Sequence, residues 1–312
     1  MNAELGLTYA TGVSLHPLAE TFEKRWIRFR KELKRAQKGF SEDSVHDVRV
    51  ASRRLLSALE VIESWTGLKK IRNAKKELTR TLKIFSPVRD AHVQQILLKD
   101  VGRTGPAARL LIADLQKQER KRIRKAAKKV KAVKPNATRK VLKAIRQWFR
   151  MMTFAGASNL NGNLSALARR TLGARFEAVE ALCRDVNRRD METLHQMRIA
   201  FKKYRYLAEF LQPVLPKLTD EVLKRMNDYQ TALGDIHDLD VLIITSRVFA
   251  RKLRRSASKT MRLGSTLRLL NQRKRSLVVE FVQRKDELYQ FWPFEVPASI
   301  VDTAQPIAKE AR

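Results

Sequence analysis

The chain has 312 residues, with 65 Lys and Arg against 32 Asp and Glu, for a formal net charge of +33. Apolar residues make up 44% of it, which excludes a disordered basic tail and leaves room for one large domain or two of ordinary size. The single cysteine, Cys183, excludes an intrachain disulfide framework and reads as a small buried apolar residue. So large a charge excess calls for a polyanion: nucleic acid, an anionic membrane or a phosphate polymer.

The N-terminal stretch, residues 1–15, carries Glu4 and lacks the basic start and apolar run of a signal peptide. No apolar run approaches the ~20 residues that span a bilayer. A cytoplasmic protein without membrane insertion is expected. His16, in the approach to the first helix, is expected to face solvent.

Nearly every segment reads as helix, with apolar residues recurring at i, i+3, i+4 and i+7. Gly and Pro are sparse, 11 and 9, and mark expected breaks at Gly39, Gly67, Pro87, Pro135, Pro213 and Gly234, among others. In the helix from about His46 to Ser64, Val48, Ala51, Leu55, Leu59 and Ile62 share one face, and His46, Arg49 and Arg53 share the opposite one. The segment Pro87-Val-Arg89-Asp90 reads as a helix opening, with Asp90 a first-turn acid at the positive helix end. From Lys117 to Lys131, nine of fifteen residues are Lys or Arg, and Arg120, Arg124, Lys128 and Lys131 fall on one side of a helix.

Thr153 to Asn163 is small, polar and rich in Gly and Asn, and reads as a linker between near-equal halves. The halves resemble each other. His46-Asp-Val-Arg49 returns as His195-Gln-Met-Arg198, 149 residues on, and the Asp90 segment returns around Asp238, 148 residues on. Two motifs in one order at nearly constant offset indicate duplication. In the second copy Met197, Phe201, Tyr204, Ala208 and Leu211 form the apolar stripe, and His195, Arg198, Lys202 and Arg205 form the ridge. Asp235 to Asp240 again reads as a helix opening. The run from Arg251 to Arg262 answers the Lys117–Lys131 region.

A charged face opposite a core face is ordinarily solvated surface. Two features weigh against that here. The ridges lack the i,i+4 acidic partners of a balanced helix, and the same His-x-x-Arg spacing occurs twice. Arg suits phosphate through its planar fork, Lys through a point charge, and His as a titratable donor.

The residues His46-Asp-Val-Arg-Val-Ala-Ser-Arg-Arg54 and His195-Gln-Met-Arg-Ile-Ala-Phe-Lys-Lys-Tyr-Arg205 resemble the paired motifs of the CHAD domain, the conserved histidine α-helical domain. The Val88-Arg-Asp90 and Leu233 to Val241 segments are similar to motifs of the same family. The resemblance covers roughly residues 15–296. It implies an all-α fold of two helical-bundle halves related by pseudo-two-fold symmetry around a basic central channel or groove. It also implies binding of inorganic polyphosphate without catalysis. On that reading the site comprises His46, Arg49, Arg53, Arg54 and Arg89 in the first half. In the second it comprises His195, Arg198, Lys202, Lys203 and Arg205, and Arg120, Arg124 and Lys128 are added from the third basic region. Leu56 stands where the second half has Arg205. The expected organisation is a single domain over 1–298, with halves at 15–152 and 164–296, a linker at 153–163 and a tail at 299–312. No triphosphate-tunnel motif precedes it, so a stand-alone copy is expected.

Inorganic polyphosphate is therefore the expected partner, with nonspecific nucleic-acid binding and attachment to storage granules also compatible and a part in phosphate homeostasis implied. No catalytic residue, cofactor or metal is expected. Two rivals stay open. Charge alone permits nucleic acid, although aromatic residues are only 7% and no RNA or DNA module is recognisable. The dipeptides His46-Asp47 and His237-Asp238, with Asp90, His92, Asp235 and Asp240, permit an HD-type metal-dependent phosphohydrolase. The arginines that share the face of His46 would repel its cation.

Overall fold

The computed structural model describes residues 16–100, 105–154, 160–253 and 257–294. Among these residues there are nine α-helices and no strand: α1 Pro17–Lys38, α2 Glu42–Thr66, α3 Ile71–Asp100, α4 Gly105–Val130, α5 Asn136–Phe154, α6 Leu160–Asp185, α7 Met191–Leu211, α8 Asp220–Leu253 and α9 Ala257–Arg284. Two 3₁₀ turns, Gln212–Val214 and Lys285–Phe291, complete the elements of the described residues.

The two ridge-bearing helices are set by strong local signals. Ser41 caps α2 by accepting from the Ser44 N–H at 3.3 Å, with Glu42 and Asp43 in the first turn. Gly67 ends it at φ 63°, a left-handed residue whose N–H returns to the Glu63 carbonyl. Asp190 caps α7 by accepting from Glu192 and Thr193. His16 is not solvent-facing. Its Nδ1 accepts from the Leu18 N–H at 3.2 Å, and its ring stacks on Phe149 at 5.1 Å.

Both apolar stripes read from the sequence are buried, in α2 and α7 alike, and Cys183 is buried with them. They join one main core that draws on both halves, from Leu18 and Phe22 to Phe291 and Phe294. A smaller core binds the far ends of α3, α4, α8 and α9 through Leu98, Leu111, Leu115, Leu242, Ile243 and Leu270. The expected linker is shorter than 153–163, because α5 runs through Phe154 and α6 begins at Leu160.

Two expected breaks are absent. Pro87 lies inside α3 and Gly234 inside α8. Pro87 and Lys83, whose carbonyl loses its i→i+4 donor there, are both exposed, so the missing helix bond does not leave a polar group buried in a core. The consequence is functional: Arg89, Asp90, Asp235 and Asp238 are not helix-opening residues but mid-helix side chains of α3 and α8.

Candidate functional site

Helices α1, α2, α7 and α8 enclose a cavity of about 970 Å³. Its basic wall includes Lys24, Arg25 and Arg28 of α1, His46, Arg53 and Arg54 of α2, and Lys224 of α8. A second cavity of about 300 Å³ lies against α3 and brings in Arg49, Arg89, Asp90, Arg198, Asp235 and Asp238. The two share His46, Val50, Arg53, Gln230 and Thr231, which makes one continuous groove with those residues at its waist. Gly234 forms part of the wall there.

The ridge residues take unequal roles in this groove. Arg49 is 8% exposed and donates to the Ser86 hydroxyl. Burial, followed by the charge of Arg53, pushes its pKa down to about 10. Arg53 and Arg198 reach the groove from α2 and α7 and make no ion pair or hydrogen bond among the described residues. Burial lowers the Arg198 pKa against the opposing charge of Asp238. Lys202 sits one turn further along α7 and lines neither cavity of the groove, though it is close enough to feel the charges of the arginines that do. Burial, then Arg53, Arg198 and Arg49, push its pKa down to about 6, against Asp238. The imidazole of His46 is likewise lowered, by burial first and the Arg89 charge second. The smaller cavity thus gathers four arginines, Arg49, Arg53, Arg89 and Arg198, against three carboxylates, Asp90, Asp235 and Asp238, none of them in an ion pair with Arg53 or Arg198 among the described residues.

Other ridge residues are occupied. Arg54 grips Glu209 through Nε at 2.8 Å and Nη2 at 3.3 Å. Arg205, 6% exposed, does have an acidic i,i+4 partner, contrary to the expectation of an unbalanced ridge: it donates to Glu209 at 3.0 Å, and also to Gln230 at 2.9 Å and Asn227 at 2.8 Å. Leu56, its counterpart in the first half, packs against the core. Arg89 lines the groove while paired with Glu42 at 3.0 Å. Lys203 is exposed and lines neither cavity of the groove.

His195 does not stand where His46 does. Its Nδ1 lies 3.2 Å from Nδ1 of His237, and both line a pocket with Leu194, Leu233, Ile236 and Ile244 that adjoins the smaller cavity through His237 and Val241, while His195 itself lines neither cavity of the groove. Burial, then the charge of Arg198, pushes the His237 pKa down to about 4. Arg120, Arg124 and Lys128 are exposed on α4, which packs on α3 and α9, and they line neither cavity.

Of the candidate metal ligands of the HD reading, His46, Asp90, Asp235, His237 and Asp238 line the smaller cavity, while the other three are drawn into pairs elsewhere. His92 Nε2 meets Glu119 at 3.0 Å, Asp240 meets Lys274 at 2.8 Å, and Asp47 meets Arg35 at 2.9 Å. Among the described residues no group of three or more His, Cys, Asp or Glu converges as a metal would need.

Sequence reasoning missed the contribution of α1. Thr21, Lys24, Arg25 and Arg28 lie opposite the buried stripe Leu18, Phe22, Trp26, Phe29 and Leu33, so the same face argument would have found them. It also missed Lys224 of α8.

A family model described as the CHAD domain matches residues 20–247, most of the chain. The chain belongs to the CHAD-domain family. The crystal structure of the CHAD domain from the plant Ricinus communis is similar at a TM-score of 0.64 and 18% identity, covering 88% of this chain and 92% of that one. PptA from Streptomyces chartreusis is similar at a TM-score of 0.52 and 17% identity, covering 88% and 98%. At such identities the likeness establishes the all-α CHAD fold. A comparison with curated proteins returned no match. No helix among the described residues of this CHAD protein is long and apolar enough to cross a membrane.

Proposed function

We propose that this CHAD protein binds inorganic polyphosphate in the groove between α1, α2, α7 and α8, and that it does so without catalysing a reaction. The observation that carries the reading is the waist. Arg53 lines it and Arg198 lines the adjoining smaller cavity, from the two repeated helices; neither makes an ion pair among the described residues, and half-buried Lys202 is close enough to feel both charges. Concentrating like charge is unfavourable in the free protein, and a linear polyanion relieves it along its whole path. Arg53 and Arg198 present forked donors to phosphate oxygens, and Lys202 a point charge. Arg54 and Arg205 are held by Glu209 and shape the wall rather than receive the ligand.

Nucleic acid fits the groove less well. Tyr206 is the one aromatic residue among those that line the two cavities, and it is buried. Bases would find no stacking platform. The reading is tested by competition. Labelled polyphosphate is challenged with duplex DNA, RNA and heparin at physiological salt. Displacement only by unlabelled polyphosphate is expected; equal displacement by RNA or DNA overturns the reading in favour of a general polyanion surface.

A further inference from the structure

In the first half, the end of α2 and the start of α3 form a further hollow of about 840 Å³. Its walls are Glu63, Arg72, Lys75, Lys76, Arg80 and Lys83, with Thr79 between them. The one acidic residue in it is already engaged: Glu63 receives Lys75 at 2.7 Å and Arg72 at 3.6 Å. Lys76, Arg80 and Lys83 are exposed and have no carboxylate within ion-pair distance among the described residues. They fall at i, i+4 and i+7, a single row about 10 Å long at 1.5 Å per residue.

An exposed basic row is ordinarily just solvated. Its register in the repeat says more. The 148-residue offset that relates Asp90 to Asp238 relates Lys76, Thr79 and Lys83 to Lys224, Asn227 and Thr231. Those three residues form the α8 wall of the main groove. The 149-residue offset of the two histidine motifs likewise relates Glu63 to Gln212, another residue of that groove. The hollow is therefore the first-half counterpart of the groove wall, with far more positive charge.

The hollow is also continuous in direction with the waist. Seven residues separate Lys83 from Asp90, which turns the helix back to within about 20° at 3.6 residues per turn. The side of α3 that lines the waist at Asp90 thus faces the hollow about 10 Å earlier along the same helix.

Building on the polyphosphate reading, we infer that the Lys76–Arg80–Lys83 row is an extension of the groove that holds a further run of the same polyphosphate chain. The protein then prefers long chains to short ones. A tripolyphosphate occupies the waist alone. A long chain leaves the waist and lies along α3.

The test compares tripolyphosphate and long-chain polyphosphate on the full chain. One variant carries Lys76→Ala, Arg80→Ala and Lys83→Ala. A control carries Arg251→Ala, Lys252→Ala and Arg268→Ala, three exposed cations that line neither the groove nor the hollow. All six positions are exposed, and unchanged helicity by circular dichroism verifies folding. With about −0.7 in the log K against log salt slope per phosphate contact, the row variant should lose about 2 units of slope for the long chain. Tripolyphosphate affinity should stay within about twofold, because exposed charges more than ~8 Å away are largely screened, and the control should bind both ligands as the parent does. Undiminished long-chain binding by the row variant overturns the extension and leaves the groove reading intact. Equal losses in the row variant and the control also overturn it, since net charge would then explain the effect. A parent that binds neither ligand overturns the polyphosphate reading itself.

Discussion

Arg54 and Glu209 tie the two halves of the chain together: the guanidinium of one ridge helix meets both carboxylate oxygens of the other, at 2.8 and 3.3 Å. Glu209 also receives the buried Arg205 at 3.0 Å. One carboxylate thus neutralises two arginines that would otherwise repel each other across the groove wall.

Glu209→Gln should therefore be much more damaging than Arg54→Ala. The first leaves Arg205 buried without a counter-charge, a loss on the order of 3–5 kcal/mol for a broken buried pair. The second removes a half-exposed partner and should cost about 1 kcal/mol or less. Urea denaturation of both variants checks the order; equal losses would place the structural burden on Arg54 instead.

Lys202 and His46 predict a pH dependence. Lys202 faces Arg49 and Arg53 of α2, Arg198 of its own helix and Asp238 of α8, and its pKa lies at about 6 in the free protein. The His46 imidazole is lowered as well. A bound polyanion favours the charged form of both and raises their pKa values, so binding takes up protons. Affinity should rise as the pH falls from about 8 towards 6. Lys202→Met should remove most of that rise, and His46→Gln a further part. Isothermal titration in two buffers of different ionisation enthalpy measures the proton uptake directly; none at pH 7 contradicts the assignment.

The same lysine weakens the unliganded fold at neutral pH. The unfolded chain binds the Lys202 proton up to its ordinary pKa of ~10.4, and the folded chain releases it above about 6, so stability from this group rises with pH between those values. Lys202→Met should raise the Tm at pH 7 by about 2–4 °C for each kcal/mol gained. The gain should shrink as the pH approaches 10. A lower Tm at pH 7 would show that Lys202 is held by favourable contacts.

The third basic region should matter little to short ligands. Arg120, Arg124 and Lys128 are exposed on α4 and line neither cavity of the groove. Replacing all three with Ala should change tripolyphosphate affinity by no more than about twofold at physiological salt, where the Debye length is ~8 Å. A tenfold loss by fluorescence competition would bring α4 into the site.

Most of the fold was legible because burial follows helical period. Val48, Ala51, Leu55, Leu59 and Ile62 are all buried, as are Met197, Phe201, Tyr204, Ala208 and Leu211. The breaks were less legible, since Pro87 and Gly234 lie inside long helices whose ends are held by neighbours in the smaller core. Period alone could not tell a ligand-facing arginine from an occupied one. Arg53 and Arg54 are adjacent in sequence, yet only Arg54 finds a carboxylate, contributed 155 residues away by Glu209. His46 and His195 match in sequence, yet His46 lines the groove while His195 meets His237 in an adjoining pocket. Such partners come from tertiary packing, which one helix's sequence does not contain.

The measurement that bears most directly on the central claim is the salt dependence of polyphosphate binding by the Arg53→Ala, Arg198→Ala double variant. Arg53 lines the waist and Arg198 the smaller cavity of the groove, and neither belongs to the buried apolar stripes. Helicity should be unchanged, affinity should fall by at least about tenfold, the equivalent of 1.4 kcal/mol, and the log K against log salt slope should flatten by about 1.4 for two lost contacts. A variant that binds as tightly as the parent, with the same slope, would contradict the assignment of this groove as the polyphosphate site.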